Sequence, residues 1–554
     1  MLTIRTWLDS IGREESADEC PFWPPDLFAV AGALLKRSGA YLRVFEDRGT
    51  STYLEGVESA GASWRRRIDA QTDPTISSLR RARPRDILQS WRLLMEAAET
   101  PIGNIRQYAA LSEILIRMAL ISDAASVGLG IDREPDREPH SDRFLSLANG
   151  FKSLKHLRSF CWDIPEDVVC VLGKQHTPQK GATFRSLTHH LALYLPNDIE
   201  ARWVGPYPQR ESIEHEQRLN LLLLPWPTAI DTENFSEVRS RRREADATKR
   251  ASYFRFQRAP IPSPAAFRRS FERAIADAKK HADRIDAVVF PELALTYAHY
   301  EVAELIAIRE RVILICGIGS VSRGTRRDLN HCVLQPAGAL DDVPRRGRAR
   351  QRVIELLRLI QSKHHRWFLD RDQIVNYQFG GRLPARGCWE NIELPERTLY
   401  FLTLSRMTWS VLICEDLARQ DPAADLIRAV GPNLMIALLM DGPQLNTRWA
   451  ARYASVLAED PGCSVLALTN LGMAERSRPV LRATGKRASP SRVIALWRDV
   501  VAGEVEIALD DDHNACVLSL ECQKRTELTA DGRDDGGESR YPVFAGFRSF
   551  RTEA

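Results

Sequence analysis

The sequence predicts an α/β layered domain in its C-terminal part, preceded by a mainly helical region. Three observations carry this. From Leu219 onward, short apolar runs rich in strand formers alternate with segments whose apolar residues recur at helical spacing. Some of those runs, Leu219–Leu224 (LNLLLL) first among them, are almost continuously apolar, as in a strand buried on both faces. Over the first 160 or so residues, by contrast, the apolar spacing is helical.

Taken in order, Leu27–Leu35 is an apolar run between Asp26 and Lys36. It is too short to cross a bilayer and lies behind acidic residues, unlike a signal peptide, so it is read as a buried core helix. Asp86–Thr100 and Asn104–Ile121 follow at helical spacing, separated by Pro101–Gly103. Asp132–Asp142 (DREPDREPHSD) is a polar loop, and Phe144–Trp162 resumes the helical pattern. Val168–Leu172 and Leu187–Leu195 are expected strands, joined by a polar segment with Gly173, Pro178 and Gly181. His189 and His190 fall in the second strand, where neighbours face opposite ways and are poorly placed to share a metal.

Beyond Leu219–Leu224 the expected order is helix Pro264–Ala282, strand Ala287–Phe290, helix Val302–Glu310 and strand Val312–Cys316. After an insertion come strand Trp409–Ile413, helix Ala424–Val430, strand Leu434–Leu439, helix Thr447–Glu459 and strand Ser464–Thr469. Gln523–Gly537 is polar and expected to be mobile. The chain thus divides into a helical N-terminal domain (1–163), a small β-containing connector (164–218), an α/β domain (219–522) and a C-terminal tail (523–554).

Composition narrows the function classes. With 77 basic against 73 acidic residues, the net charge of +4 makes no case for nucleic acid or membrane as a partner. The ten cysteines form no CxxC pair, which fits reduced thiols in a cytoplasmic protein and gives no zinc site. No metal and no cofactor are expected. Arg345–Arg352 (RRGRARQR) is read as a solvated loop opening a helix in preference to a phosphate-contacting patch.

In α/β sheets, reactive groups gather at the carboxyl ends of strands. Ala287-Val-Val-Phe-Pro-Glu292 places a carboxylate just past a buried strand, and Trp409-Ser-Val-Leu-Ile-Cys414 places a thiol likewise. Ser362-Lys363-His364-His365 supplies an ammonium between them. The two histidines are read as local packing or polar contacts. Taken together and in this order, the three segments resemble the nitrilase superfamily of carbon–nitrogen hydrolases. Further segments extend the resemblance over about residues 219–522: Leu222-Leu-Leu-Pro225, Asn330-His-Cys-Val-Leu-Gln-Pro-Ala-Gly338, Leu434-Met-Ile-Ala-Leu-Leu439, Trp449-Ala-Ala-Arg452, Ala467-Leu-Thr-Asn-Leu-Gly472, Arg492–Trp497 and Val505–Ile507. Cys414-Glu-Asp-Leu417 is similar to the nucleophile motif of glutaminase-type members.

The resemblance implies an α-β-β-α sandwich behind the helical domain, with Cys414 as nucleophile, Glu292 as general base and Lys363 as the cation beside the developing charge. The backbone N–H of Glu415 is the expected second oxyanion donor. The neighbouring cation is expected to make Cys414 the most reactive of the ten thiols. Such a site would hydrolyse a small amide, or less favourably a nitrile, through a covalent acyl-enzyme. Many members carry a further glutamate shortly after the lysine; here the nearby acids are Asp370 and Asp372, the candidates for that role. The Lys363–Cys414 interval is long, implying an inserted loop, and the arginine that often follows the nucleophile is represented by Arg419. The family's habit implies a homodimer through this domain and leaves residues 1–218 for a protein partner. The alternative is a non-catalytic sensing or scaffold protein, since nitrilase-like domains with large N-terminal extensions also resemble those linked to bacterial reverse transcriptases in anti-phage defence. No Tyr-x-Asp-Asp run of a polymerase is present.

Overall fold

The computed structural model describes residues 2–46, 52–71, 75–129, 158–178, 181–207, 218–238, 251–257, 261–321, 327–336, 347–404, 407–481, 483–534 and 539–553. The expected loop Asp132–Asp142 and most of Phe144–Trp162 lie outside these residues. The described end of that segment is not helical, and Phe160 N–H bonds Val171 C=O at 2.8 Å.

Two seven-stranded sheets form the centre. The first runs in the order Leu359–Ser362, Asp328–Gln335, Ile313–Val321, Ala287–Val289, Arg218–Leu223, Ala515–Arg525, Ser539–Phe550. The second runs Gly503–Ala508, Val493–Asp499, Ser464–Thr469, Leu434–Leu439, Met407–Ile413, Thr398–Leu404, Glu200–Tyr207. The sheets touch through Asp328–Gln335 against Met407–Ile413 and Leu359–Ser362 against Thr398–Leu404. Strand alternation sorts the side chains: Leu221 and Leu223 enter the core between the sheets, while Leu222 joins Phe267, Phe271, Tyr300 and Ile306 under the helices Pro264–Ala278 and Tyr297–Glu310. The helix Trp449–Glu459 covers the second sheet. The layers are therefore α-β-β-α, as the resemblance implied.

Two boundaries read from the sequence need correction. Residues 523–554 are not a tail: 523–525 continue the strand Ala515–Arg525, and Ser539–Phe550 pairs with it as the sheet's last strand. The connector is not separate either, since Glu200–Tyr207 is the edge strand of the second sheet, parallel to Thr398–Leu404. One buried cluster runs from Ile4 to Leu520, so the helical region and the sandwich share a core instead of packing as independent units.

Buried carboxylates fasten the helices to that core. Asp26, in the helix Pro24–Ser38, accepts the N–H groups of Trp162, Asp163 and Ile164 on one oxygen, at 2.9–3.1 Å. Asp123, in the helix Ala109–Ala125, accepts those of His189, His190 and Leu191. His189 and His190 therefore precede the strand Leu191–Tyr194 instead of lying within it. Polar atoms this deeply buried are costly unless bonded, so these bonds pin the hairpin Cys170–Gly173/Leu191–Tyr194 against the helices.

A smaller four-stranded sheet, Phe368–Leu369, Cys388–Glu390, Tyr253–Phe256, Phe235–Glu237, has its own core of Phe235, Phe254, Trp367, Ile374, Tyr377 and Phe379. Part of it comes from the insertion between Lys363 and Cys414.

Candidate active site

Glu292 follows the strand Ala287–Val289, and its loop is clamped to the next strand by Phe290 N–H to Ile315 C=O (2.8 Å) and Leu295 N–H to Gly317 C=O (3.0 Å). The approach is so close that a Cβ on Gly317 would lie 2.4 Å from Pro291 O and 2.5 Å from Glu292 Cα, so only glycine fits. Lys363 follows the strand Leu359–Ser362, and its N–H bonds Asn330 C=O at 2.9 Å. Cys414 ends the strand Met407–Ile413 and opens the short helix Glu415–Ala418. Its backbone is left-handed (φ 48°, ψ −106°), as is that of Leu293 (φ 54°) beside the carboxylate. Such conformations cost on the order of 1–3 kcal/mol in a non-glycine residue and cluster at functional sites.

Two of the three sequence-predicted side chains meet directly. Lys363 Nζ stands 2.7 Å from Glu292 Oε1, across 71 residues of sequence. The Cys414 thiol feels the charge of both. All three are buried, at 1% exposure for Glu292 and Lys363 and 2% for Cys414.

The second acid is neither Asp370 nor Asp372. Asp370 is exposed and caps the helix Arg371–Asn376 through Gln373 N–H at 2.7 Å, and Asp372 is exposed in its first turn. Both are spent on starting a helix in the insertion. Glu390 takes the place instead: its Oε2 lies 2.7 Å from Lys363 Nζ and accepts Trp367 N–H at 3.1 Å. Asn330 Nδ2 bridges both carboxylates, donating to Glu292 Oε1 at 2.7 Å and Glu390 Oε1 at 2.9 Å. Glu390 was findable, because it is the first glutamate after Lys363 in the sequence. Asn330 lies in a strand segment singled out only for its pattern.

The partners divide the two glutamates by role. Both oxygens of Glu390 are committed, whereas Glu292 keeps Oε2 buried and without a protein partner. Burial, and after it the charge of Glu390, raises the Glu292 carboxyl above its ordinary range against the pull of Lys363 and Asn330. Burial works against the Lys363 ammonium, but Glu292 and Glu390 outweigh it and hold it well above the usual lysine value. Two of its three N–H donors are so used, leaving one. The Cys414 thiol is pushed well up by burial and by Glu292, with Lys363 opposing. The pull of Lys363 on the thiol is thus present but outweighed, first by burial and then by Glu292.

Asp416 ties the lysine segment to the cysteine segment. Its buried carboxylate accepts His364 N–H (3.0 Å), His365 N–H (2.9 Å) and bonds His365 Nδ1 (3.0 Å). The second ring nitrogen of His364, Nε2, lies 3.0 Å from Thr398 C=O, so both histidines are structural contacts. Glu415, as the first residue of its helix, has no carbonyl one turn earlier, which leaves its N–H as a candidate donor beside the thiol. Arg419 pairs with the Glu415 side chain. On the far side, Asp441 adds negative charge near the thiol and is held by Arg448 (2.8 Å), Trp449 Nε1 (2.8 Å) and the Tyr377 hydroxyl of the insertion. A cavity of about 530 Å³ reaches Glu390 between Phe254, Phe256, Leu293, Leu295 and Tyr297, and Cys414 does not line it.

Comparison with known proteins gives no matching family model and no matching curated protein. Among solved structures the chain is similar to Nit3 of Saccharomyces cerevisiae, a member of branch 10 of the nitrilase superfamily, at 12% identity and a TM-score of 0.33, covering 55% of this chain and 90% of that one. It is similar to a carbon–nitrogen hydrolase from Helicobacter pylori G27 (11%, TM-score 0.30, 53% and 86%) and to an amidase from Nesterenkonia sp. (11%, TM-score 0.31, 55% and 90%). The chain's own architecture is an α-β-β-α sandwich. Its layers are arranged as the sequence resemblance implied. Among the described residues no group of three or more His, Cys, Asp or Glu is placed to hold a metal ion, and no helix is long and apolar enough to cross a membrane.

Proposed function

We propose that the protein hydrolyses a non-peptide carbon–nitrogen bond through Cys414, Glu292 and Lys363, with an amide as the substrate in preference to a nitrile. The observation that carries this reading is the division of labour around one ammonium: Glu390 is bonded at both oxygens, while Glu292 has a buried oxygen without a partner and its charge acts on the thiol of a cysteine at positive φ. The preference for amides rests on the likeness of Cys414-Glu-Asp-Leu417 to glutaminase-type motifs.

In this mechanism Glu292 Oε2 takes the thiol proton as Cys414 Sγ bonds the carbonyl carbon, so a thiol with a high pKa suits the step. The remaining N–H of Lys363 and the N–H of Glu415 steady the negative oxygen; loss of one such donor typically costs about 10²–10³ in rate. The C–N bond then breaks, and the amine leaves with the proton from Glu292. Water adds to the thioester as Glu292 takes its proton. The C–S bond breaks, and Cys414 regains its hydrogen. A panel of primary ω-amides, N-acyl amines and nitriles tests the reading: hydrolysis by the wild type, lost in Cys414→Ala and Glu292→Gln, supports it. One observation favours the non-catalytic alternative, the 2% exposure of Cys414. That reading predicts no turnover and a Cys414→Ala protein with its biological function intact.

A further inference from the structure

Asn330 belongs to the strand Asp328–Gln335, and the sheet register sets it beside Lys363, whose N–H bonds its carbonyl. Its side chain is 2% exposed, and one nitrogen, Nδ2, reaches both carboxylates around Lys363. The amide orientation is fixed by chemistry, because the reverse would set an oxygen against two carboxylates. Its Oδ1 is buried without a partner, an expensive arrangement. An apolar residue of similar size would avoid it, so the benefit lies in the two bonds from Nδ2.

Two carboxylates around one ammonium leave an excess negative charge in a buried site, and proton uptake by Glu292 is the easy way to relieve it. Such a proton would disable the only oxygen free to act as base. The N–H bond from Asn330 favours the ionised form of Glu292, and the pair of bonds to Glu292 and Glu390 holds Glu292 Oε1 against the ammonium, which keeps Oε2 turned away from it.

We infer that Asn330 is a positioning residue that keeps Glu292 ionised and presents its Oε2 to the Cys414 thiol. The inference rests on the hydrolase reading for its role in turnover, but its effect on the thiol does not need a substrate. Iodoacetamide supplies the substrate-free probe: Cys414 Sγ displaces iodide as Glu292 takes the thiol proton.

The test is the pH profile of Cys414 alkylation by iodoacetamide, followed by peptide mass spectrometry in the full chain, alongside the profile of kcat/KM on whichever amide is hydrolysed. Removing a donor to an ionised carboxylate raises its pKa, so in Asn330→Ala the acid limb of both profiles should move up by about one pH unit. kcat should fall about 10–100-fold with KM little changed. Asn330→Ser, which keeps one donor, should lie between the two, and it serves as the informative variant if Ala lowers the melting temperature too far to assay. A merely structural role would lower activity and melting temperature together while leaving the acid limb at the wild-type pH, and that result overturns the inference. A wild type inactive on every amide would count against the hydrolase reading and leave the alkylation profile to decide on Asn330.

Discussion

Glu390 reaches Lys363 from outside both large sheets: its strand, Cys388–Glu390, belongs to the four-stranded unit, yet its Oε2 lies 2.7 Å from Nζ. The ammonium is therefore clamped between the first sheet, through Glu292, and the insertion, through Glu390. Because Glu390's charge contributes to raising the Glu292 carboxyl, Glu390→Gln should lower it. The acid limb of kcat/KM should move to lower pH, opposite to the Asn330→Ala shift, with a loss of about 10–100-fold in kcat from the weaker base and looser lysine. An unmoved limb would show that Glu390 does not act on Glu292 electrostatically.

Removing the cation should cost stability as well as activity. Lys363→Met leaves two carboxylates buried with Asn330 as their shared donor. Breaking a buried pair in this way typically costs about 3–5 kcal/mol. The Glu292 carboxyl, raised by burial and then without the opposing lysine, binds its proton more tightly in the folded state, so the loss should be greatest above neutrality and shrink as the pH falls and it is protonated. Thermal unfolding of the variant at pH 5 and pH 8 checks this; equal losses at both would contradict it.

Asp416→Ala should separate geometry from chemistry. It leaves the backbone N–H groups of His364 and His365 without their acceptor, at about 1–3 kcal/mol for each group left buried. The lysine loop would no longer be fastened to the cysteine turn, so kcat should fall by about 10²-fold or more. The pH limbs should stay nearly in place, since the largest influences on Glu292 are burial, Lys363, Glu390 and Asn330. A large limb shift would point instead to a direct electrostatic role.

Much of this was legible in the sequence. The strand ends that carry Glu292 and Cys414 show as buried apolar runs followed by a reactive residue, because a strand covered on both faces has no polar face to obscure the signal. Glu390 was overlooked because the expectation looked just beyond Lys363, where Asp370 and Asp372 are helix-starting residues of the insertion. The last strand, Ser539–Phe550, was hidden by the polar segment before it and by its exposed alternate positions, while the shared core depends on long-range burial that no local pattern encodes.

Asp26 offers a test far from the site. Burial lifts its carboxyl from 3.8 to about 7, against the pull of three backbone N–H groups. The folded state therefore holds this proton more tightly than the unfolded chain, and stability should fall as the pH rises from about 4 to about 7. Asp26→Asn keeps an acceptor oxygen for the three N–H groups and carries no charge. It should raise the melting temperature at pH 8 and leave it nearly unchanged at pH 4; a lower melting temperature at pH 8 would show that the ionised form is the stabilising one.

In the proposed mechanism Cys414 forms a covalent bond to the substrate's acyl carbon. Acid quenching of the wild-type protein during incubation with each member of the amide panel, followed by intact-mass and peptide mass spectrometry, reads this directly. The expected result is an added mass equal to the acyl group of at least one amide, located on Cys414 and on none of the other nine cysteines, and absent in Cys414→Ala. An acyl group found elsewhere, or hydrolysis that continues in Cys414→Ala, would contradict it.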